Sequence, residues 1–142
     1  MTIDVANQQD LATVDEDGIR SLCTQVLRQH DADAGLSIAY VDDAAIGELN
    51  RQYLGRDEAT DVLAFPLDDA TDPEAPLLGE IIVSVETAAR EAEARGLPLG
   101  AEIALYTVHG LLHLLGYDDH DPQATARMRQ AERQALERAG LA

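Results

Sequence analysis

Apolar positions along this chain alternate between two spacings, every second residue and every third or fourth, and the alternation lays out an ordered series of strands and helices. Thr2 to Ala6 is a short alternating run suited to a first strand. Glu16 to Gln29 follows as a helix, with Ile19, Leu22, Cys23, Val26 and Leu27 on one stripe. Leu36 to Val41 reads as a second strand, and Asp42 and Asp43 offer an N-cap to a helix carrying Ile46, Leu49 and Tyr53. Thr60 to Pro66 is a third strand closed by proline, and Leu78 to Ser84 a fourth. Leu67 to Pro76 between them is rich in Asp, Pro and Ala and reads as a surface loop. It is too short for a crossover helix, so the third and fourth strands are expected to be antiparallel and the sheet mixed.

Val85 to Arg95 continues as a helix, stopped by Gly96-Leu-Pro98. The next helix, Leu99 to Leu115, is apolar nearly all round and carries one charged residue, Glu102. A helix without a polar face is a buried one, which makes this the central helix of the fold. A more polar helix from Pro122 to Ala139 packs Met128 and Leu136 on the rest. No repeat or low-complexity linker interrupts the series, so residues 1–142 are read as a single domain. The fold class expected is α+β (α/β-like), a mixed four-stranded sheet packed with helices.

Composition changes this picture in two places. The formal charge is −17, with ten arginines and no lysine. Such a balance argues against a broad phosphate-binding face, since nucleic-acid affinity rests largely on neutralising phosphates, but it leaves room for a local one. Arg51 and Arg56 form one candidate patch; Arg127, Arg129, Arg133 and Arg138 form another, more simply read as the solvated face of the last helix. A lone Cys23 can form no internal disulfide and lies in an apolar stretch, so it is read as a small core residue. The N-terminus carries no pattern of a signal peptide or membrane span, and a soluble cytoplasmic protein is the expectation.

The chemistry is concentrated in His109-Gly-Leu-Leu-His113-Leu-Leu-Gly116-Tyr-Asp-Asp119-His120. Two histidines four apart share one helix face, about 6 Å apart along the axis, the spacing that lets two imidazoles hold one metal. Gly116 ends the helix, and the chain can turn back to present a third ligand from Asp119 or His120. Histidines on an apolar helix are more often hydrogen-bonded core residues. Here the same-face spacing, the glycine stop and the polar cluster beyond it favour a zincin-like metal site on the buried central helix. Metalloproteases carry a glutamate general base directly after the first histidine; this chain has Gly110, which argues against peptide hydrolysis.

With these residues in place, the chain resembles the YbeY family of metal-dependent endoribonucleases. The likeness runs from the second strand to the last helix through Tyr40-Val-Asp-Asp43, Glu48-Leu-Asn50, Thr60-Asp-Val-Leu63 with Phe65-Pro66, Leu78-Gly-Glu80, and His109-Gly-Leu-Leu-His113-Leu-Leu-Gly-Tyr-Asp118. The resemblance implies a single-strand-specific endoribonuclease acting in 16S rRNA 3′-end maturation and ribosome quality control. Its cofactor would be one Zn2+ per chain, and its partners rRNA and the small ribosomal subunit, with ribosomal proteins as further candidates. His109 and His113 would be metal ligands and part of the catalytic centre. The family's usual third ligand is a histidine six residues after the second, where this chain has Asp119, with His120 next; Asp119 is the expected third ligand and His120 the alternative. Many relatives carry an arginine at the position of Leu54, which leaves Arg56 or Arg51 to contact phosphate, with Arg56 assigned to the catalytic set. The rival reading is a non-catalytic, zinc-containing assembly factor, drawn to basic ribosomal proteins by its acidic surface.

Overall fold

The computed structural model describes residues 2–56, 60–67 and 77–141. The expected loop from Leu67 to Pro76 lies, beyond Leu67, outside the described residues. The elements run β1 (Ile3–Asn7), α1 (Glu16–Gln29), β2 (Gly35–Val41), α2 (Asp43–Leu54), β3 (Val62–Pro66), β4 (Leu77–Ser84), α3 (Val85–Arg95), α4 (Leu99–Leu114) and α5 (Pro122–Arg138). The four strands lie in the order β1-β2-β4-β3. β1 with β2 and β2 with β4 are parallel, and β3 with β4 is antiparallel, so the sheet is mixed as the short β3–β4 connection requires. The third strand begins two residues later than its pattern suggested. Asp61 Oδ1 accepts the amide of Val62 at 2.7 Å, while the Asp61 carbonyl still accepts the Ser84 amide of β4 at 2.9 Å.

β2 and β4 are central, and their side chains alternate between two apolar layers. Leu36, Ile38, Tyr40, Ile81 and Val83 face the larger core with α1, α4 and α5. Ala39, Val41 and Ile82 face a smaller cluster with Ile46 of α2 and Leu63 of β3. Tyr53 of α2 is largely exposed, with its ring against Phe65, centroids 5.5 Å apart. Cys23 is fully buried, and burial pushes its thiol up to about 12, in keeping with a core role.

Asp42 caps α2 by accepting the Ala45 amide at 2.8 Å. Asp43 does something else. Its Oδ1 accepts the hydroxyls of Ser84 and Thr87 at 2.6 and 2.8 Å, and its Oδ2 accepts Arg90 at 2.8 Å. Burial works to raise this carboxyl, but the bonds from Ser84, Arg90 and Thr87 outweigh it and hold the group below the ordinary aspartate range. One carboxylate thus joins the start of α2 to the end of β4 and the first turns of α3.

α4 lies against the sheet at short range. A Cβ on Gly110 would stand 2.9 Å from Ile81 Cγ2 and 3.2 Å from Val62 Cγ2. Only glycine lets the helix approach β3 and β4 this closely without displacing them. A second tie is polar: the buried Tyr40 hydroxyl bonds Thr107 Oγ1 at 2.8 Å, and Thr107 donates in turn to the Ile103 carbonyl. Among the described residues no helix is long and apolar enough to cross a membrane.

Candidate metal centre

His109 and His113 are one turn apart near the C-terminal end of α4, with Nε2 atoms 3.1 Å from each other and ring centroids 4.6 Å apart. Two nitrogens bound to one tetrahedral metal at about 2.05 Å stand about 3.3 Å apart, so the pair is already close to a chelating geometry. The helix ends just beyond them. The Gly116 amide bonds the His113 carbonyl and the Tyr117 amide bonds the Leu112 carbonyl, with Gly116 at φ 103°. This two-bond closure needs a left-handed residue, which is why glycine sits there. It reverses the chain and directs the next segment back over the histidines.

Tyr117 fixes that segment from the other side. His30 at the end of α1 donates Nδ1–H to the Val26 carbonyl at 2.8 Å, so its Nε2 accepts the Tyr117 hydroxyl at 2.9 Å. Two residues later Asp119 arrives beside the histidines, and one ligand atom each of His109, His113 and Asp119 lies within 4.8 Å of the others. His120, the alternative third ligand, is exposed and stands outside this cluster, its amide on Asp118 Oδ1.

Glu132 of α5, which sequence reasoning did not single out, completes the arrangement. Its side chain is 5% exposed, and Oε2 lies 3.0 Å from His109 Nδ1. An ionised carboxylate only accepts, so Nδ1 carries the proton and the Nε2 lone pair is left facing His113 and Asp119. The signal was in the sequence: positions 124, 128, 132, 135 and 136 form the buried stripe of α5, and a glutamate at a core register calls for a partner. Burial holds His113 below the ordinary histidine range, with the neighbouring His109 adding to this, so the ring favours the neutral form that a metal requires.

Two open clefts meet at His109. The first, of about 590 Å³, is walled by β3, Gly110, His113 and Leu114, with Leu54 and Arg56 on its rim. Of the two arginines proposed from sequence it is Arg56 that lines this cleft, while Arg51 pairs with Glu48. The second, of about 650 Å³, lies between α3 and α5 and includes Arg90, Tyr106, Asp119, Arg129 and Glu132. Thr60 and Asp61 border both. Burial raises the Tyr106 hydroxyl above its ordinary range, and the Glu102 carboxylate beside it adds to the shift.

Comparison with known proteins puts this chain in a family. The model of the family described as endoribonuclease YbeY matches residues 4–140. An endoribonuclease YbeY of Carboxydothermus hydrogenoformans is 41% identical over 97% of both chains, and one of Pseudomonas putida is 38% identical over 99% of this chain and 90% of its own. The chain belongs to the endoribonuclease YbeY family. A solution structure, TM1509 from Thermotoga maritima, superposes with a TM-score of 0.70 at 23% identity, covering 97% of this chain and 89% of that one, and so shares the fold. The YbeY resemblance read from the sequence therefore holds, as does the mixed α+β architecture. The family is one of RNA-cleaving hydrolases, and in this member a His-His-Asp cluster that could hold a metal ion lies where the two clefts join.

Proposed function

We propose that this protein is a zinc-dependent endoribonuclease specific for single-stranded RNA, acting in the cytoplasm on the 3′ end of 16S rRNA during small-subunit maturation and quality control. The observation that carries the reading is the convergence of His109, His113 and Asp119 in a chain of the endoribonuclease YbeY family. The 3.1 Å separation of the imidazole nitrogens and the carboxylate support behind His109 suit a small divalent cation.

In this reading His109, His113 and Asp119 hold one cation, and Arg56 contacts the phosphate from the rim of the first cleft. When bound, the cation supplies Lewis acidity, polarising a phosphoryl oxygen of the scissile bond. Asp119 contributes a negative charge where a third imidazole would contribute none, and so offsets part of the cation's charge. Arg56 restores positive charge near phosphorus through a fork of donors matched to phosphate oxygens. The clefts, about 590 and 650 Å³, have the size of sites for one or two nucleotides, and favour an unpaired strand over a duplex.

A non-catalytic assembly factor would hold its zinc in a closed shell of four protein ligands. Among the described residues the cluster has three, with His120 outside it, which favours an open site. The deciding experiment compares wild type and His113→Ala on unstructured and duplex RNA, with zinc or a chelator. Cleavage of the unstructured RNA alone, lost with the chelator and in the variant, is the expected result. Cleavage undiminished in zinc-loaded His113→Ala would overturn the assignment.

A further inference from the structure

The second cleft places arginines beside the candidate metal centre in a protein whose charge is otherwise strongly negative. Arg129 of α5 is 69% exposed at its side chain and lies 3.9 Å from Glu132 Oε1, an edge-of-range pair that leaves donors of its guanidinium for a ligand. Arg90 of α3 is 61% exposed, and Asp43 and Thr87 hold it in place through Nη1 at 2.8 Å and Nη2 at 3.1 Å. Both line the space that His109 and Asp119 also line.

The acids of the same cleft have other partners. Glu132 faces His109, Glu91 pairs with Arg95 at 3.6 Å, Asp61 accepts the Val62 amide, and Asp119 belongs to the histidine cluster. A cation held by that cluster offsets Asp119 further. Of the three arginines lining the space, Arg95 is taken up by Glu91 and Glu102, whereas Arg90 and Arg129, each ion-paired on one side with Asp43 and Glu132, keep exposed edges, each a planar fork matched to phosphate oxygens. The first cleft shares Thr60, Asp61 and His109 with the second, so a strand lying across the histidines can run from one into the other.

Building on the nuclease reading above, we infer that RNA flanking the scissile phosphate runs between α3 and α5, where Arg129 and Arg90 each hold one backbone phosphate. The arginines bind the strand and take no part in bond cleavage. Phosphate contacts carry no base information, so this cleft adds affinity across sequences.

The test uses the zinc-loaded full chain and a fluorescein-labelled single-stranded oligodeoxyuridylate, which keeps the phosphates but lacks the 2′-OH. Fluorescence anisotropy at several salt concentrations gives Kd and its salt slope for wild type, Arg129→Ala, Arg90→Ala and Arg133→Ala. Arg133 is exposed on the same helix and is the control for net charge. Arg129→Ala and Arg90→Ala are each expected to weaken binding about fivefold and to lower the slope by about 0.7, the loss of one phosphate contact on a single strand. With cleavable RNA, KM should rise in both variants while kcat holds. Circular dichroism establishes that each variant is folded. Unchanged Kd and slope in both variants, or an equal loss in Arg133→Ala, would overturn the cleft assignment. The outcomes also separate the two readings: RNA cleavage with Arg-independent binding removes the cleft alone, whereas Arg-dependent binding without any cleavage removes the nuclease reading alone.

Discussion

Glu132 is buried within hydrogen-bonding reach of one candidate ligand, and its removal gives the sharpest test of how the site is built. The bond from His109 Nδ1 to Oε2 is 3.0 Å long and the side chain is 5% exposed, so water competes little for it. Hydrogen bonds to charged groups contribute about 1.5–3 kcal/mol. Changes to the outer partner of a ligating histidine typically cost about 10–100-fold in metal affinity, or about 1.4–2.8 kcal/mol, and the two estimates agree. Glu132→Gln keeps the shape and an acceptor oxygen but loses the charge, and should weaken zinc binding about tenfold. Glu132→Ala also frees the imidazole to turn and exchange tautomers, and should approach the upper end of that range. The metal-free protein behaves differently. The carboxylate is costly to bury and its long pair with Arg129 offsets little, so Glu132→Gln should leave thermal stability without zinc unchanged or slightly raised. Competition against a chromophoric chelator at fixed pH measures the affinities, with the exposed Glu137→Gln as control. Nitrogen-15 spectra of the imidazoles report whether His109 keeps its proton on Nδ1. Zinc affinity within twofold of wild type in both variants would refute the orienting role.

Two further predictions concern the scaffold. Gly110→Ala gains about 1 kcal/mol of helix propensity but forces a methyl against Ile81 in the central strand, and overpacking of this kind costs about 1–3 kcal/mol. The net expectation is a loss of up to about 2 kcal/mol and a Tm lower by up to about 8 °C, read by calorimetry; a higher Tm would show that the sheet yields. Asp43 titrates below its unfolded value of about 3.9, so its contribution to stability is present above about pH 4 and fades as pH falls through the lower folded value. Asp43→Asn should therefore flatten the acid limb of a Tm-against-pH profile, and a profile parallel to wild type would contradict the network drawn around Ser84, Thr87 and Arg90.

Much of this architecture could be read from local pattern, because the elements end at residues whose physics is local. Gly96 and Gly116 take positive φ at the ends of α3 and α4, Asp42 caps α2, and the brevity of the β3–β4 connection forces an antiparallel pair. The histidine pair was legible for the same reason, since one helix carries both members. Residues whose role depends on a neighbour from elsewhere in the sequence were not. Glu132 reaches His109 across 23 positions, and its function exists only once α5 packs on α4. Arg129 read as part of a solvated helix face, and its place in the cleft beside Glu132, three residues along the same helix, exists only once α5 packs against α4. Spacing favoured Asp119 and kept His120 as the alternative; that Asp119 lies with the two histidines while His120 stands outside the cluster depends on the turn after Gly116.

The dependence of His109 on Glu132 has a consequence for timing. During synthesis the chain emerges from its N-terminus, and segments fold in roughly that order. The sheet and α4 can assemble while α5 is still to come, so both histidines are present before the carboxylate that orients one of them. Met128, Ala135 and Leu136 of α5 belong to the larger core, so until α5 docks both that core and the candidate metal centre are unfinished. For a member of an RNA-cleaving family made on a machine built of RNA, that order withholds full metal affinity from the candidate site until Glu132 has left the ribosome and docked.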